Sequence, residues 1–223
     1  MKHKNYDLDH FDIIEFARKI AERAKDMGIL NKDLNKDRKV SNHIGVILAD
    51  AALQAGVNYN NIVKPRIEAI YHNFPECDKL SNVYSLVITD RSSEFLRWTH
   101  HVKIKRFENL VLFMRDNNIE YVENLYHFLE DDQFKNGLLN IHGIGPKTID
   151  YLSCLVGIDS IAVDRHIKNF ATRAGLYTES YDLMKDVFCY AADFLSISRR
   201  DFDYLIWTFE SASSNKKKQL TLF

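Results

Sequence analysis

Apolar residues recur at helical spacing along almost the whole chain, and that periodicity leaves little room for a sheet. In "DHFDIIEFARKIAERAKDMG", Phe11, Ile14, Phe16, Ala17, Ile20 and Ala21 form one broad stripe that stops at Gly28. "HIGVILADAALQAG" is almost wholly apolar and predicts a central, buried helix. Helical segments continue through "NNIVKPRIEAIYHNF", "IKRFENLVLFMRDN" and "YVENLYHFLEDD", and again in "YDLMKDVFCYAADFL" and "RRDFDYLIWTFESA". Only 8 Gly and 3 Pro occur in 223 residues, too few punctuators for many short strands and turns. The expected fold class is all-α.

Charge narrows the function classes less than it narrows the fold. A formal net charge of −1 gives no global basic field of the kind that advertises nucleic acid. The charge is nonetheless uneven. "RWTHHVKIKR", from Arg97 to Arg106, carries four Lys/Arg, two His and no acid. Such a run is either a solvated face or one side of a polyanion site. Cys77, Cys154 and Cys189 stand far apart with no CxxC pair, so a disulfide framework or a four-cysteine cluster is excluded by count. The first residues, "MKHKNYDLDHFDIIEFARKI", are broken by acids and read as neither signal peptide nor membrane span. A cytoplasmic protein is expected.

Chemistry concentrates in "LLNIHGIGPKTIDYL", residues 138–152. "DQFKNGLLN" reads as a short helix, "IHGIG" as a tight turn and "PKTIDYLSCLVG" as a second helix with Pro146 at its first position. A phosphate-binding P-loop is excluded, because the glycine spacing is wrong and Pro146 stands where a glycine must precede Lys147. A helix–hairpin–helix fits instead. Its second helix would turn its first amides and positive dipole end toward a DNA phosphate, with His142, Gly143, Ile144, Gly145 and Thr148 around the contact. Such contacts are independent of base sequence. The alternative is an αα-corner whose glycines serve only close packing.

Two segments together carry a family resemblance. "LLNIHGIGPKTIDYL" followed by "IAVDRHIKNF" resembles the helix–hairpin–helix DNA glycosylases, the base-excision repair superfamily that includes endonuclease III. That family pairs an L-x-G-φ-G-x-K-T hairpin with a downstream V-D-x-H-I helix start, and the likeness extends over residues 41–212. In its lyase-competent members the hairpin lysine is the nucleophile and the aspartate of V-D its partner, which fall here on Lys147 and Asp164. Ile141-His142 replaces the usual Leu-Pro, and the iron–sulfur cluster of many endonuclease III relatives is absent. No cofactor is expected.

The resemblance implies a two-lobed helical fold with its cleft between the lobes. A six-helix lobe would span 39–156, with the hairpin at about 131–156, and a second would join 1–38 to 157–211. Lys147 and Asp164 would then meet at the cleft. The family also inserts a side chain into the hole left by the flipped nucleotide, which makes Gln54 of "LQAGVNY" the candidate, with Asn58 and Tyr59 behind it. Arg97, His100, His101 and Lys103 would lie on the DNA face. A monovalent cation would sit on the backbone carbonyls of Leu139, Ile141 and Ile144.

A damaged base cannot be reached inside the stack, so its nucleotide must be rotated into a pocket. Asp164 would stabilise positive charge on the sugar as the glycosidic bond breaks. Lys147 would bond to C1′, form a Schiff base and release the 3′ phosphate by β-elimination. That needs a neutral amine, whereas free lysine titrates at about 10.4. The helix start favours the neutral form and a nearby carboxylate opposes it. Asp150, one turn after Lys147, reads as a solvated or capping acid, or an understudy.

The sequence ends in "QLTLF", which resembles the bacterial sliding-clamp-binding pentapeptide through Gln219, Leu220, Leu222 and Phe223. A flexible tail over 212–223 would present it. Three readings follow. The first is a monomeric, bifunctional glycosylase and abasic-site lyase acting on damaged double-stranded DNA. The others are a monofunctional glycosylase whose Lys147 only holds phosphate, and a non-catalytic DNA-structure binder. Oxidised pyrimidine and 8-oxoguanine are the leading substrates by family analogy alone.

Overall fold

The computed structural model describes residues 10–31 and 40–220, with side chains over 12–30 and 40–212. Among the described residues every regular element is a helix. In chain order these are α1 (His10–Asp26), α2 (Ile44–Leu53), α3 (Lys64–Asn73), α4 (Leu80–Ile88), α5 (Ser92–Leu96) and α6 (His101–Asp116). Then come α7 (Val122–Phe128), α8 (Asp132–Leu139), α9 (Pro146–Val156), α10 (Arg165–Arg173), α11 (Tyr181–Leu195) and α12 (Arg199–Leu220). A π turn, Tyr59–Val63, leads into α3, where Pro65 occupies the first turn and so costs no helical hydrogen bond. The chain divides into two compact units, one within Lys39–Ile158 and the other within Met1–Arg38 and Asp159–Phe223.

The first unit is built around α2. Its sequence is apolar on nearly every side, and all ten of its residues are buried, as that pattern demands. Helices α3, α4, α6 and α9 pack against it. The start of α2 is closed by the buried His43, whose Nδ1 accepts from Val46 N at 3.2 Å. Its Nε2 lies 2.9 Å from the Phe74 carbonyl, so the ring is the Nε2–H tautomer. Phe95 and Phe107 stack within the core at 5.4 Å. Full burial of each such ring is worth about 1.5–3 kcal/mol.

The second unit lays α1 along α11 and α10 along α12. Ala17, Ile20 and Ala24 supply the buried face of α1, against a core that includes Phe170, Phe188 and Phe202. Arg173 of α10 pairs with Glu210 of α12, which is 2% exposed. The backbone of α12 is helical through Leu220, across the stretch that the sequence reading gives to a flexible tail. Leu222 and Phe223 lie outside the described residues, as do the side chains of Gln219 and Leu220.

Candidate active site

The hairpin joins α8 to α9. Asp131 caps α8 by accepting from Gln133 N at 2.7 Å, and the chain then turns through residues 140–145. Ile141 and Ile144 are buried and pin the turn, and Ile144 N donates to the Ile141 carbonyl at 2.9 Å. Between them His142 and Gly143 are exposed. Gly143 has φ +85°, a conformation that favours glycine, and a Cβ there would also oblige the Arg106 guanidinium to shift. Gly145 is different. Its backbone is extended (φ −125°), it caps α9 without a side chain, and a Cβ on it would meet nothing within 4 Å. Space is therefore left open at a helix start, where amides and dipole attract an anion. Thr148 is buried just inside, its amide donating to the Gly145 carbonyl at 2.9 Å. Leu139, at the end of α8, is 42% exposed.

Lys147 projects from the first turn of α9 and is half-buried. Its amine donates to Gln54 Oε1 and lies 5.1 Å from the centre of the Tyr151 ring, one turn further along α9. Gln54 is the residue that ends α2, its amide donating to the Asp50 carbonyl at 3.0 Å. Its Nε2 is buried without a hydrogen-bond partner. The lysine and the candidate insertion residue are thus in contact within one unit.

Other cations crowd the same helix end. Lys103 Nζ donates to the carbonyls of Leu53 and Ala55, the latter at 2.7 Å, and lies 5.0 Å over the Trp98 ring. Burial pulls that amine down to about 8. Arg106 Nη1 donates to the Ala52 carbonyl at 3.2 Å. These bonds satisfy carbonyls at the negative end of the α2 dipole. Lys103, expected on a DNA face, is engaged here with protein backbone. Arg97 is exposed and ends α5 at φ 48°, its carbonyl accepting from Arg66 Nε at 3.0 Å. His100 and His101 are exposed and stacked at 5.0 Å.

Beneath the lysine lies a carboxylate that sequence reasoning passed over. Asp50 is 3% exposed, yet each of its oxygens accepts a tyrosine hydroxyl: Tyr59 at 2.9 Å and Tyr151 at 3.0 Å. Burial raises its carboxyl to about 6, outweighing the two hydroxyl donors and the nearby Lys147 charge that pull the other way. Burial likewise drives the Tyr151 phenol upward, so it stays a donor. Asn58, expected behind Gln54, caps the π turn by accepting from Asn61 N at 3.0 Å.

Asp164 belongs to the other unit. Its Oδ1 accepts from His166 N at 2.7 Å and Ile167 N at 3.0 Å, so it is the N-cap of α10. The carboxylate is half-buried, and Oδ1 carries both cap bonds. Asp150, expected as a solvated or capping acid, is instead 8% exposed on the inner face of α9. Among the described residues no group of three or more His, Cys, Asp or Glu could hold a metal ion, and no helix is long and apolar enough to cross a membrane.

The all-helical fold of this chain is shared with solved DNA glycosylases. The structure is similar to the 8-oxoguanine DNA glycosylase of Thermotoga maritima, with a TM-score of 0.54 and 15% identity over 89% of this chain and 96% of that one. It is also similar to the H. pylori 3-methyladenine DNA glycosylase MagIII, solved bound to 1,N6-ethenoadenine, with a TM-score of 0.59 and 17% identity over 91% of this chain and 98% of that one. No family model matches the sequence, and no curated protein matches it.

Proposed function

We propose that the protein is a base-excision repair DNA glycosylase with abasic-site lyase activity, and that Lys147 is its nucleophile. The observation that carries this reading is the setting of Lys147. On a fold shared with two DNA glycosylases, one amine stands in the first turn of the hairpin's second helix, against the Gln54 amide and the Tyr151 ring. The open helix start at Gly145 would take a backbone phosphate through its amides. The flipped nucleotide's C1′ would then be presented to the Lys147 amine.

After base loss, attack on the C1′ aldehyde expels water and leaves an imine. Loss of a C2′ proton then drives out the 3′ phosphate, and hydrolysis of the imine returns the free amine. Asp164 is assigned the stabilisation of the sugar cation while the base departs. A monovalent cation on the carbonyls of Leu139, Ile141 and Ile144 belongs to the same proposal; oxygens of this kind suit such an ion, and no step depends on it. So does a sliding-clamp contact through Gln219, Leu220, Leu222 and Phe223, which rests on sequence alone.

One observation favours the monofunctional reading. The Lys147 charge and the buried Asp50 carboxylate attract one another, which opposes the neutral amine that attack requires and suits a phosphate contact. A nicking assay on a duplex with one abasic site separates the two. Bifunctional chemistry requires that the wild type cleave the strand and that Lys147→Gln lose this by at least about 100-fold. Base release from a lesion panel without strand cleavage by the wild type would leave the monofunctional enzyme. Neither activity would leave a DNA-binding protein.

A further inference from the structure

Asp50 is chemically out of place. It sits in the middle of α2, a helix apolar enough to be buried along its whole length, where leaving a carboxylate is costly unless something nearby uses it. Its surroundings are specific. Tyr59, from the π turn, and Tyr151, from α9, each give it a hydroxyl, one to each oxygen. Tyr151 is also the ring over which the Lys147 amine lies at 5.1 Å. One phenol therefore touches both the buried acid and the hairpin lysine, by its edge and by its face.

We propose that Asp50 is the counter-ion and positioning residue of Lys147, acting through Tyr151. The hydroxyl bond to Asp50 fixes the Tyr151 ring as a floor for the amine, and Gln54, four residues along the same helix from Asp50, holds it from the side. The carboxylate and the Lys147 charge attract one another, with the Tyr151 ring bonded to the one and lying against the other. This rests on Lys147 being the working amine of the proposed function.

Charge at the site supports the same reading. Tyr59, Tyr151 and Lys147 are the groups that act on the Asp50 carboxyl, and the net result is a carboxyl titrating at about 6. From α6, Lys103 and Arg106 reach the same helix end but bond to the carbonyls of Leu53, Ala55 and Ala52. The other elements packed on α2 bring Ile67, Ile70, Cys77 and Val83 to this core, and α9 carries a second buried acid, Asp150, one turn after Lys147. Among the described residues, Lys147 is the cation whose charge acts on the Asp50 carboxyl.

Coupling of this kind is reciprocal and is measurable without DNA. Lysines carrying ¹³C-methyl groups are titrated by NMR in the full chain, with Lys147 assigned from its absence in Lys147→Gln. The Lys147 midpoint is expected to fall by about one unit in Asp50→Asn. Should Asp50→Asn fold poorly, the converse titration carries the test: the ¹³C carboxyl midpoint of Asp50, at about 6, should move upward in Lys147→Gln. Midpoints that are independent of one another overturn the proposal. Coupled midpoints together with an inactive wild type would overturn the lyase reading and leave the pairing standing. Strand cleavage with independent midpoints would do the reverse.

Discussion

The amine of Lys147 donates to the side-chain oxygen of Gln54, a residue 93 positions earlier in the chain. That one bond ties the start of the hairpin's second helix to the end of the buried helix α2. A lysine in a hairpin is by itself only a phosphate contact. Here it is held by an amide from a second element and an aromatic ring from its own helix, so its position is defined before any DNA arrives. Preorganisation of this kind is what a nucleophile needs and a screening charge does not.

The two hairpin glycines should respond differently to alanine. Gly143 has a positive φ and the Arg106 guanidinium against it, so Gly143→Ala should lose at least about 1 kcal/mol of stability. Gly145 has neither constraint but is the N-cap of α9, where alanine is the poorer cap, so Gly145→Ala should cost only about 0.5 kcal/mol. Its added methyl would occupy space that a phosphate needs, so abasic duplex affinity should fall several-fold. Urea denaturation and a binding titration on the same samples check both halves. Unchanged affinity in Gly145→Ala would remove the phosphate from this helix start.

Asp164 has a structural duty that must be separated from any chemical one. Its Oδ1 accepts two amides at the start of α10. Asn can keep that cap, whereas Asp164→Ala should cost about 1 kcal/mol. In a chain of this size that is a fall of about 2–4 °C in Tm. Base release and strand cleavage should fall in both variants, by about 100-fold or more in Asp164→Asn despite its intact stability. Full activity in Asp164→Asn would confine this residue to capping.

Stability should depend on pH through Asp50. Its carboxyl titrates at about 6 when folded against 3.8 when unfolded. Between those values the folded chain holds the extra proton, so stability is lost as pH rises through the window. Two pH units correspond to about 3 kcal/mol. Compared with Asp50→Asn, the wild type should lose roughly that much between pH 4 and pH 7, read as the difference of two denaturation series. A difference that is flat with pH would show that the buried carboxyl titrates normally.

The sequence could show Lys147 and the glycines because the hairpin is a local pattern, with every part lying within a few residues of the next. Periodicity identified α2 as buried for the same reason. Asp50 was missed because an acid inside "ILADAAL" gives no local sign of its partners, and one of these, Tyr151, lies 101 residues away. The bonds of Lys103 were equally illegible. Its acceptors are the carbonyls of Leu53 and Ala55, and a backbone carbonyl leaves no signature in the residue type. Asp150, one turn after Lys147, reads from sequence as a solvated or capping acid or an understudy, whereas the packing of α9 turns it inward with Ile149 and Ser153.

Borohydride trapping on a duplex with a single abasic site, followed by peptide mapping of the adduct, tests the role of Lys147 most directly. A Schiff base reduced in place should attach the DNA to Lys147, with no adduct in Lys147→Gln at equal protein and DNA. An adduct on another lysine, or equal trapping by Lys147→Gln, would contradict the assignment of Lys147 as the nucleophile.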